Sequence, residues 1–318
     1  MKKNEPILYL VIPCYNEEEM LNITTKELTK KMEQLIKKKL ISNDSKVLYV
    51  NDGSKDKTWE KIEEAHKHNK IFGGVKLSRN KGHQNALLAG LMTAKKYADI
   101  TISMDADLQD DINVIDKMLE EYKNGAEIVY GVRSSRKKDT FFKRFTAEGF
   151  YKFMKIMGVD IVFNHADCRL MSKTALEGLE SFKEVNLFLR GIVPQIGYKT
   201  GIAYYERNER VAGESKYPLK EMLKFAWEGI SSFSVKPLKM ITNVGFIMSM
   251  LSFIVLIYAL IVKLTGRAVS GWTFIICSIW LVSGIQMLSL GIIGEYIGKI
   301  YNETKHRPRY IVEKELID

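Results

Sequence analysis

Cysteine is scarce in this chain: Cys14, Cys168 and Cys277 are the three in 318 residues, far apart and without a CxxC pair. That spacing suggests neither a disulfide framework nor a zinc site and fits a reducing compartment. Two phosphate-binding glycine signatures are also missing. Neither GxGxxG nor GxxxxGK[ST] stands at the first apolar run, which argues against a dinucleotide oxidoreductase and against a Walker-type NTPase. There is no internal repeat and no low-complexity segment. With 46% hydrophobic and 27% charged residues, the chain is neither disordered nor fibrous, and it is long enough for one large domain plus something extra. The start, MKKNEPILYLVIPCY, is basic and then apolar, but Pro13 interrupts the run and no small-residue cleavage site follows. It is predicted as a strand rather than a signal peptide.

Positive charge is in excess. A formal net charge of +10 points to a polyanionic partner: nucleic acid, an anionic membrane surface or a phosphorylated substrate. Composition alone does not choose among them.

From Ile7 to about Arg133, apolar runs alternate with helical periodicity. ILYLVIP, KVLYVND, GGVKLSRN, DITISMDAD and AEIVYGVR are short, rich in Val, Ile and Tyr, and end in polar or glycine-containing turns, so they are predicted as strands. Helices are predicted between them over Glu17 to Leu40, Lys57 to Lys67, Gln84 to Tyr97 and Ile112 to Tyr122. This alternation predicts an α/β domain with a mostly parallel sheet, whose ligands bind at the carboxyl ends of the strands. Further on, Ile241 to Val262 and Trp272 to Ile297 are each about long enough to cross a hydrocarbon core. The loop KLTGRAVSG between them is short, so a helical hairpin is predicted, with both chain ends on one side. Lys and Arg flank the pair, which places the large domain in the cytoplasm. Two basic segments bearing aromatics, Arg133 to Phe145 and Tyr217 to Lys239, suit an anionic lipid surface, where each cation contributes about 1 kcal/mol. The expected organisation is a domain over 1–216 containing an interfacial helix over 137–157, a juxtamembrane helix over 217–240, two spans over 241–300 and a cytoplasmic tail over 301–318.

The stretch ISMDADLQDD ends a strand in four carboxylates, Asp105, Asp107, Asp110 and Asp111. Like charges crowded there repel one another. A divalent cation, Mg2+ or Mn2+, would resolve the crowding, held by Asp105 and Asp107 together with phosphate oxygens and with Gln109 adding a neutral oxygen. In PCYNEE, Pro13 and Tyr15 can wall a flat base while Asn16 and Glu17 reach a uracil or ribose edge; the alternative is that Asn16 and Glu17 cap the following helix. In VNDGSKD, Asp52 can accept from a base or ribose and Gly53 gives a tight turn; the alternative is an ordinary Asp-Gly turn. His83 and His165 have no metal-ligand spacing and are expected as hydrogen-bonded polar residues.

VIPCYNEE, VNDGSKD, NKGHQNALLAG, MDADLQD, DCRLMS and RVAGESKY, followed by the two spans and IIGEYIGKIYNETKHRPRY, resemble the polyprenyl-phosphate glycosyltransferases of glycosyltransferase family 2, relatives of dolichol-phosphate mannose synthase and bactoprenol glucosyltransferase. Relatives usually read DLQDPPE, whereas Asp111 and Ile112 stand at the proline positions here. The resemblance implies a GT-A fold, a nucleoside diphosphate sugar donor and a membrane-embedded polyprenyl phosphate acceptor. It implies a donor pocket of Pro13, Tyr15, Asn16, Glu17, Val50, Asp52, Asp105, Ala106 and Asp107, and a cationic clamp of Arg133, Arg210 and Lys216, with Arg207 in reserve. Asp167 would lie near the acceptor, either orienting it or acting as a base; alternatively it pairs with Arg169. The expected activity is an inverting, metal-dependent transfer of one sugar, from a UDP-linked donor, to undecaprenyl phosphate. Homo-oligomers, up to a tetramer, and a separate small multipass flippase are implied partners. The alternatives are a processive polysaccharide synthase, disfavoured by the absence of QxxRW, and a nonenzymatic membrane scaffold, disfavoured by the intact DxD. Nucleic acid is the weakest fit to the charge, since no recognition motif accompanies it.

Overall fold

The computed structural model describes residues 5–134, 157, 165–206, 227, 230–232, 234–265 and 271–317. Arg207, Arg210, Lys216, the first basic segment beyond Ser134 and more than half of the second lie outside the described residues.

Eight strands form one mixed sheet: β1 (Leu8–Cys14), β2 (Lys46–Asn51), β3 (Phe72–Leu77), β4 (Ile100–Ser103), β5 (Ile128–Arg133), β6 (His165–Ser172), β7 (Thr200–Tyr205) and β8 (Val312–Leu316), in the order β7-β5-β6-β4-β1-β2-β3-β8. The five strands predicted from apolar runs are β1 to β5. Every residue of β1 is buried, as expected of a parallel strand covered on both faces. Its side chains alternate: Leu8, Leu10 and Ile12 pack into one core layer, Tyr9 and Val11 into the other. The first layer is completed by α1 (Glu18–Lys37), α2 (Thr58–His68) and α4 (Val114–Lys123), the second by α3 (His83–Ala94), α5 (Lys173–Glu180) and α6 (Leu189–Gln195). In α1 the buried set Leu21, Thr24, Leu28, Met32 and Leu35 recurs every three or four residues, which puts it on one face.

Two departures from simple alternation matter for the site. β6 runs antiparallel and lies between β4 and β5, pairing with both. Its first residues therefore stand beside the last residues of β4, on the rim where ligands are expected. The tail, predicted as a separate segment, instead adds β8 antiparallel to β3 at the sheet edge. The exposed Glu313, Lys314 and Glu315 of β8 are charges of the kind that keep an edge strand from pairing further.

Between β7 and β8 lie two long helices, α7 (Lys236–Leu264) and α8 (Trp272–Thr304), which contact each other. They contain the two predicted spans and extend beyond them. Among the described residues, Leu281–Thr304 is long and apolar enough to cross a membrane by length and composition. Apolar side chains on both helices face outward, with Phe246 67% and Met287 69% exposed. Large apolar side chains exposed in this number mark a surface for contact with a membrane or another protein.

Gly90 lets α3 lie close against the sheet. A Cβ there would sit 2.4 Å from Val11 Cγ1 and 2.5 Å from Val50 Cγ2, and β-branched side chains packed in a core have little room to move aside. Overpacking costs about 1–3 kcal/mol, more than the gain of about 1 kcal/mol in helix propensity. Gly90→Ala is expected to lower the melting temperature of the purified protein, as followed by circular dichroism.

Candidate active site

The carboxyl ends of β1, β2 and β4 carry the predicted motifs to one rim, and antiparallel β6 brings Asp167 to the same place. The first part of this rim is tied together through its backbone. Asn16, at φ 53°, accepts a hydrogen bond from Lys55 N at its Oδ1 (3.0 Å), while its own N–H donates to Ser54 Oγ (3.0 Å) and Glu17 N donates to Thr58 Oγ1 (2.9 Å). Neither Asn16 nor Glu17 caps α1 through its side chain. Asn16 clasps the loop after β2 instead.

Asp52 is buried, and both its oxygens accept from backbone: Oδ1 from Lys81 N at 2.7 Å and Oδ2 from Gly82 N at 2.9 Å. Gly53, at φ 62°, lies so close that a Cβ would meet Asn80 N at 2.4 Å. The Asp-Gly turn thus anchors the loop before α3 as well as turning the chain. Val50 and Ala106 are core residues by side chain, Val50 against α3 and Ala106 in the opposite layer. Pro13 and Val50 are register partners across β1 and β2, and Tyr15 stands 40% exposed beyond them.

The acidic part is organised by charge. Asp110 is buried and its Oδ1 accepts from Tyr205 OH (2.6 Å) and Arg133 Nη2 (3.4 Å). Arg133, predicted for the clamp, therefore compensates a rim carboxylate. Asp167 pairs with Arg190: Nε donates to Oδ1 and Nη2 to Oδ2, both at 2.9 Å. Burial alone would raise the Asp167 pKa, but the attraction and hydrogen bonds of Arg190 outweigh it and hold the carboxyl well below the usual range. A carboxylate so held is a weak base. Arg169, the partner considered from sequence, also lowers the Asp167 pKa by its charge, more weakly than Arg190, and lies 5.6 Å over the Tyr130 ring.

Asp105 is partly buried, and its pKa is raised to about 6, first by loss of solvent around it and then by Asp167, Asp110 and Asp107, with the nearby His83 acting in the opposite sense. His83 Nε2 lies 3.8 Å from Asp105 Oδ1 and 3.7 Å from Asp167 Oδ2. His83 Nε2, Asp110 Oδ2 and Arg133 Nε are buried without a hydrogen-bond partner among the described residues, the pattern expected where a bound group completes a site.

A hard divalent cation fits Asp105 and Asp107 on these grounds. Asp167 and Asp110 each have a guanidinium, while Asp105 remains pushed toward protonation. Among the described residues no group of three or more His, Cys, Asp and Glu is arranged to hold a metal. The protein would thus supply a carboxylate pair, and ligand phosphates the remaining oxygens, as is usual for Mg2+. Gln109 donates its backbone N–H to Asp107 Oδ1 at 3.2 Å, which orders the turn around Leu108 at φ 53°. Asp111 Oδ1 accepts from Asn113 N at 2.9 Å. This Asx turn leads into α4.

The raised Asp105 pKa has a stability consequence. Its protonated form is favoured in the folded state, so its contribution is fully present below the ordinary carboxylate pKa of about 4 and is lost as pH rises through about 6. In chelator-treated protein, Asp105→Asn is expected to melt above wild type at pH 7.5, with the difference shrinking as pH falls toward 4.5. A thermal-shift series across that range checks it.

Comparison with known proteins places this arrangement. Residues 9–179 match the family described as Glycosyl transferase family 2. The glycosyltransferase YkoT of Bacillus subtilis is 53% identical over 316 residues, covering 99% of this chain and 94% of that protein. The prophage bactoprenol glucosyl transferase homolog of Escherichia coli is 39% identical over 307 residues, 96% of this chain and 98% of that one. Bactoprenol glucosyl transferase of Shigella phage SfV is 38% identical over 308 residues, again 96% and 98%. With a GT-A-like mixed sheet, an acidic rim at its strand ends and these relatives, the chain belongs to glycosyltransferase family 2 and is a glycosyltransferase.

Proposed function

We propose that this enzyme transfers a single sugar from a nucleoside diphosphate sugar, UDP-linked, to undecaprenyl phosphate at the cytoplasmic membrane face, with inversion at the anomeric carbon. The observation that carries the proposal is the uneven compensation of the rim. Asp110 and Asp167 each have a guanidinium partner, and the remaining crowding falls on Asp105. The acceptor class is supported by the names of the E. coli and phage relatives and by the exposed apolar helices.

A divalent cation on Asp105 and Asp107, with Gln109 beside them, would supply positive charge for the departing diphosphate. The chain's own residues do the rest. Tyr15, Asn16, Glu17 and Asp52 form the far end of the rim, where a nucleoside would lie, and the hydrogen bonds of Asn16 and Asp52 keep that end in one shape. A lipid phosphate monoester has a second pKa of about 6, so its attacking oxygen needs little help from a base. Asp167, held ionised by Arg190, is accordingly assigned to position Arg190 and His83 near the acceptor. Arg210 and Lys216 are proposed to screen the repulsion between the two phosphate groups, Arg through paired contacts and Lys as a point charge. The catalytic domain, on this proposal, lies on the cytoplasmic side with α7 and α8 as a membrane hairpin.

The test is incubation of the purified full chain with undecaprenyl phosphate and a panel of nucleotide sugars, with Mn2+ or with chelator. A lipid-linked monosaccharide with release of nucleoside diphosphate, both lost on chelation, is the expected result. Asp107→Ala is expected to lower kcat on the order of 10²-fold or more, by analogy with loss of one transition-state charge stabiliser, while retaining the wild-type circular dichroism spectrum. Undiminished turnover in chelator, or a polymeric product, would overturn the proposal.

A further inference from the structure

The tail motif IIGEYIGKIYNETKHRPRY runs through the last turns of α8 and has no role in the chemistry above. Within it, Glu303 makes three contacts with the loop between α5 and α6. Its Oε2 accepts from Val185 N at 2.8 Å; its Oε1 accepts from Asn186 N at 2.8 Å and from Asn186 Nδ2 at 2.7 Å. Arg309 Nη1 donates to Phe182 O of the same loop at 3.0 Å. The loop borders an open cleft of ≈ 860 Å³ lined by Lys183, Glu184, Asn186, Lys299 and Glu303 among others.

Beyond this loop the chain enters the acidic site. Leu189 N, the first amide of α6, donates to Gln84 Oε1 at 2.7 Å, and Gln84 adjoins His83. The next residue, Arg190, forks Asp167. The hydrogen bonds of Glu303, the backbone from Asn186 to Leu189 and the start of α6 thus join the end of the long apolar helix to the rim.

We propose that Glu303 is a positioning residue for the transfer reaction: by holding Val185 and Asn186 it fixes α6, and so sets Arg190 and Asp167 beside His83 and Asp105. This role rests on the proposed function of the rim. The nucleoside end, around Tyr15, Asn16 and Asp52, is held by hydrogen bonds to the loops after β2 and before α3, none of them made by Glu303.

Loss of this tether should separate kcat from donor binding. Glu303→Ala in the full chain is expected to lower kcat by about 10- to 100-fold, the scale of a small misplacement originating far from the chemistry. KM for the donor, and nucleoside diphosphate affinity by calorimetry, should stay at wild-type values. Glu303→Gln keeps one acceptor oxygen for Asn186 and should fall between, as should Asn186→Ala. Hydrogen exchange should quicken in Glu303→Ala at Val185 and Asn186 and also at Leu189 and Arg190. Wild-type kcat in a folded Glu303→Ala, exchange unchanged at 189–190, or a loss of kcat matched by equal losses of nucleotide affinity and melting temperature would each overturn it. Asp107→Ala serves as the control. If that variant is fully active, the role of the rim has failed, while the exchange result still decides whether Glu303 fixes α6.

Discussion

Repulsion among carboxylates on one sheet rim is the constraint around which this domain is arranged. Asp105, Asp107 and Asp110 follow β4, and Asp167 arrives on β6. In a parallel sheet with consecutive strands side by side, the end of β4 would adjoin the end of β5. Here β6 intervenes, antiparallel to both, so it begins where β4 and β5 end. The insertion adds a fourth carboxylate to the rim, and two guanidinium groups from different elements flank it. Arg133, at the end of β5, takes Asp110; Arg190, in the first turn of α6, takes Asp167. Arg190 holds Asp167 ionised, so its negative charge remains beside Asp105. Loss of solvent first, and then Asp167, Asp110 and Asp107, push Asp105 toward its protonated form against the pull of His83.

The other half of the rim is arranged by backbone donors. Asn16 joins the end of β1 to the loop after β2, and Asp52 joins the end of β2 to the loop before α3. That second loop delivers His83 to the acidic cluster. A ligand meeting this surface encounters loops already held in place, which reduces the ordering cost of binding. Carboxylate and amide side chains that could recognise a nucleotide directly are here partly engaged in building the surface that would do so.

Much of this was legible in the sequence. Short continuous apolar runs located β1 to β5, and 3.6-residue periodicity located α1 to α4 within a few residues at their ends, because a central parallel strand and an amphipathic helix each leave a strong local signal. β6 was not found as a strand: its sequence, HADCRLMS, mixes Asp167 and a buried Arg169 among its apolar residues, and only the sheet explains why. β8, VEKEL, reads as a charged tail because an edge strand is exposed by nature. The DxD was visible as crowding, but the pairings were not. Arg190 is 23 residues from Asp167, inside a segment with no motif, and only the tertiary path of α6 brings them together. His83 stood inside NKGHQNALLAG, yet its significance depends on carboxylates from two other strands.

On the proposed function, the return of the chain to the sheet also bears on how the domain would meet a bilayer. β8 pairs with β3 after α8 ends, so the helix pair is an insertion whose two ends both attach to the same α/β body. One connection would leave that body free to tilt and spin about a linker. Two connections remove most of this freedom. The α8 side is tightened further by Glu303 on the α5–α6 loop, by Arg309 on Phe182 and by Lys299 on Ser231 and Ser232. A lipid-borne substrate is confined to a narrow range of depths, whereas a soluble sugar donor is not. An enzyme that joins the two gains most from fixing the height and orientation of its site relative to the apolar helices. The bonds at the end of α8 supply that rigidity at the point where the apolar surface gives way to the folded domain.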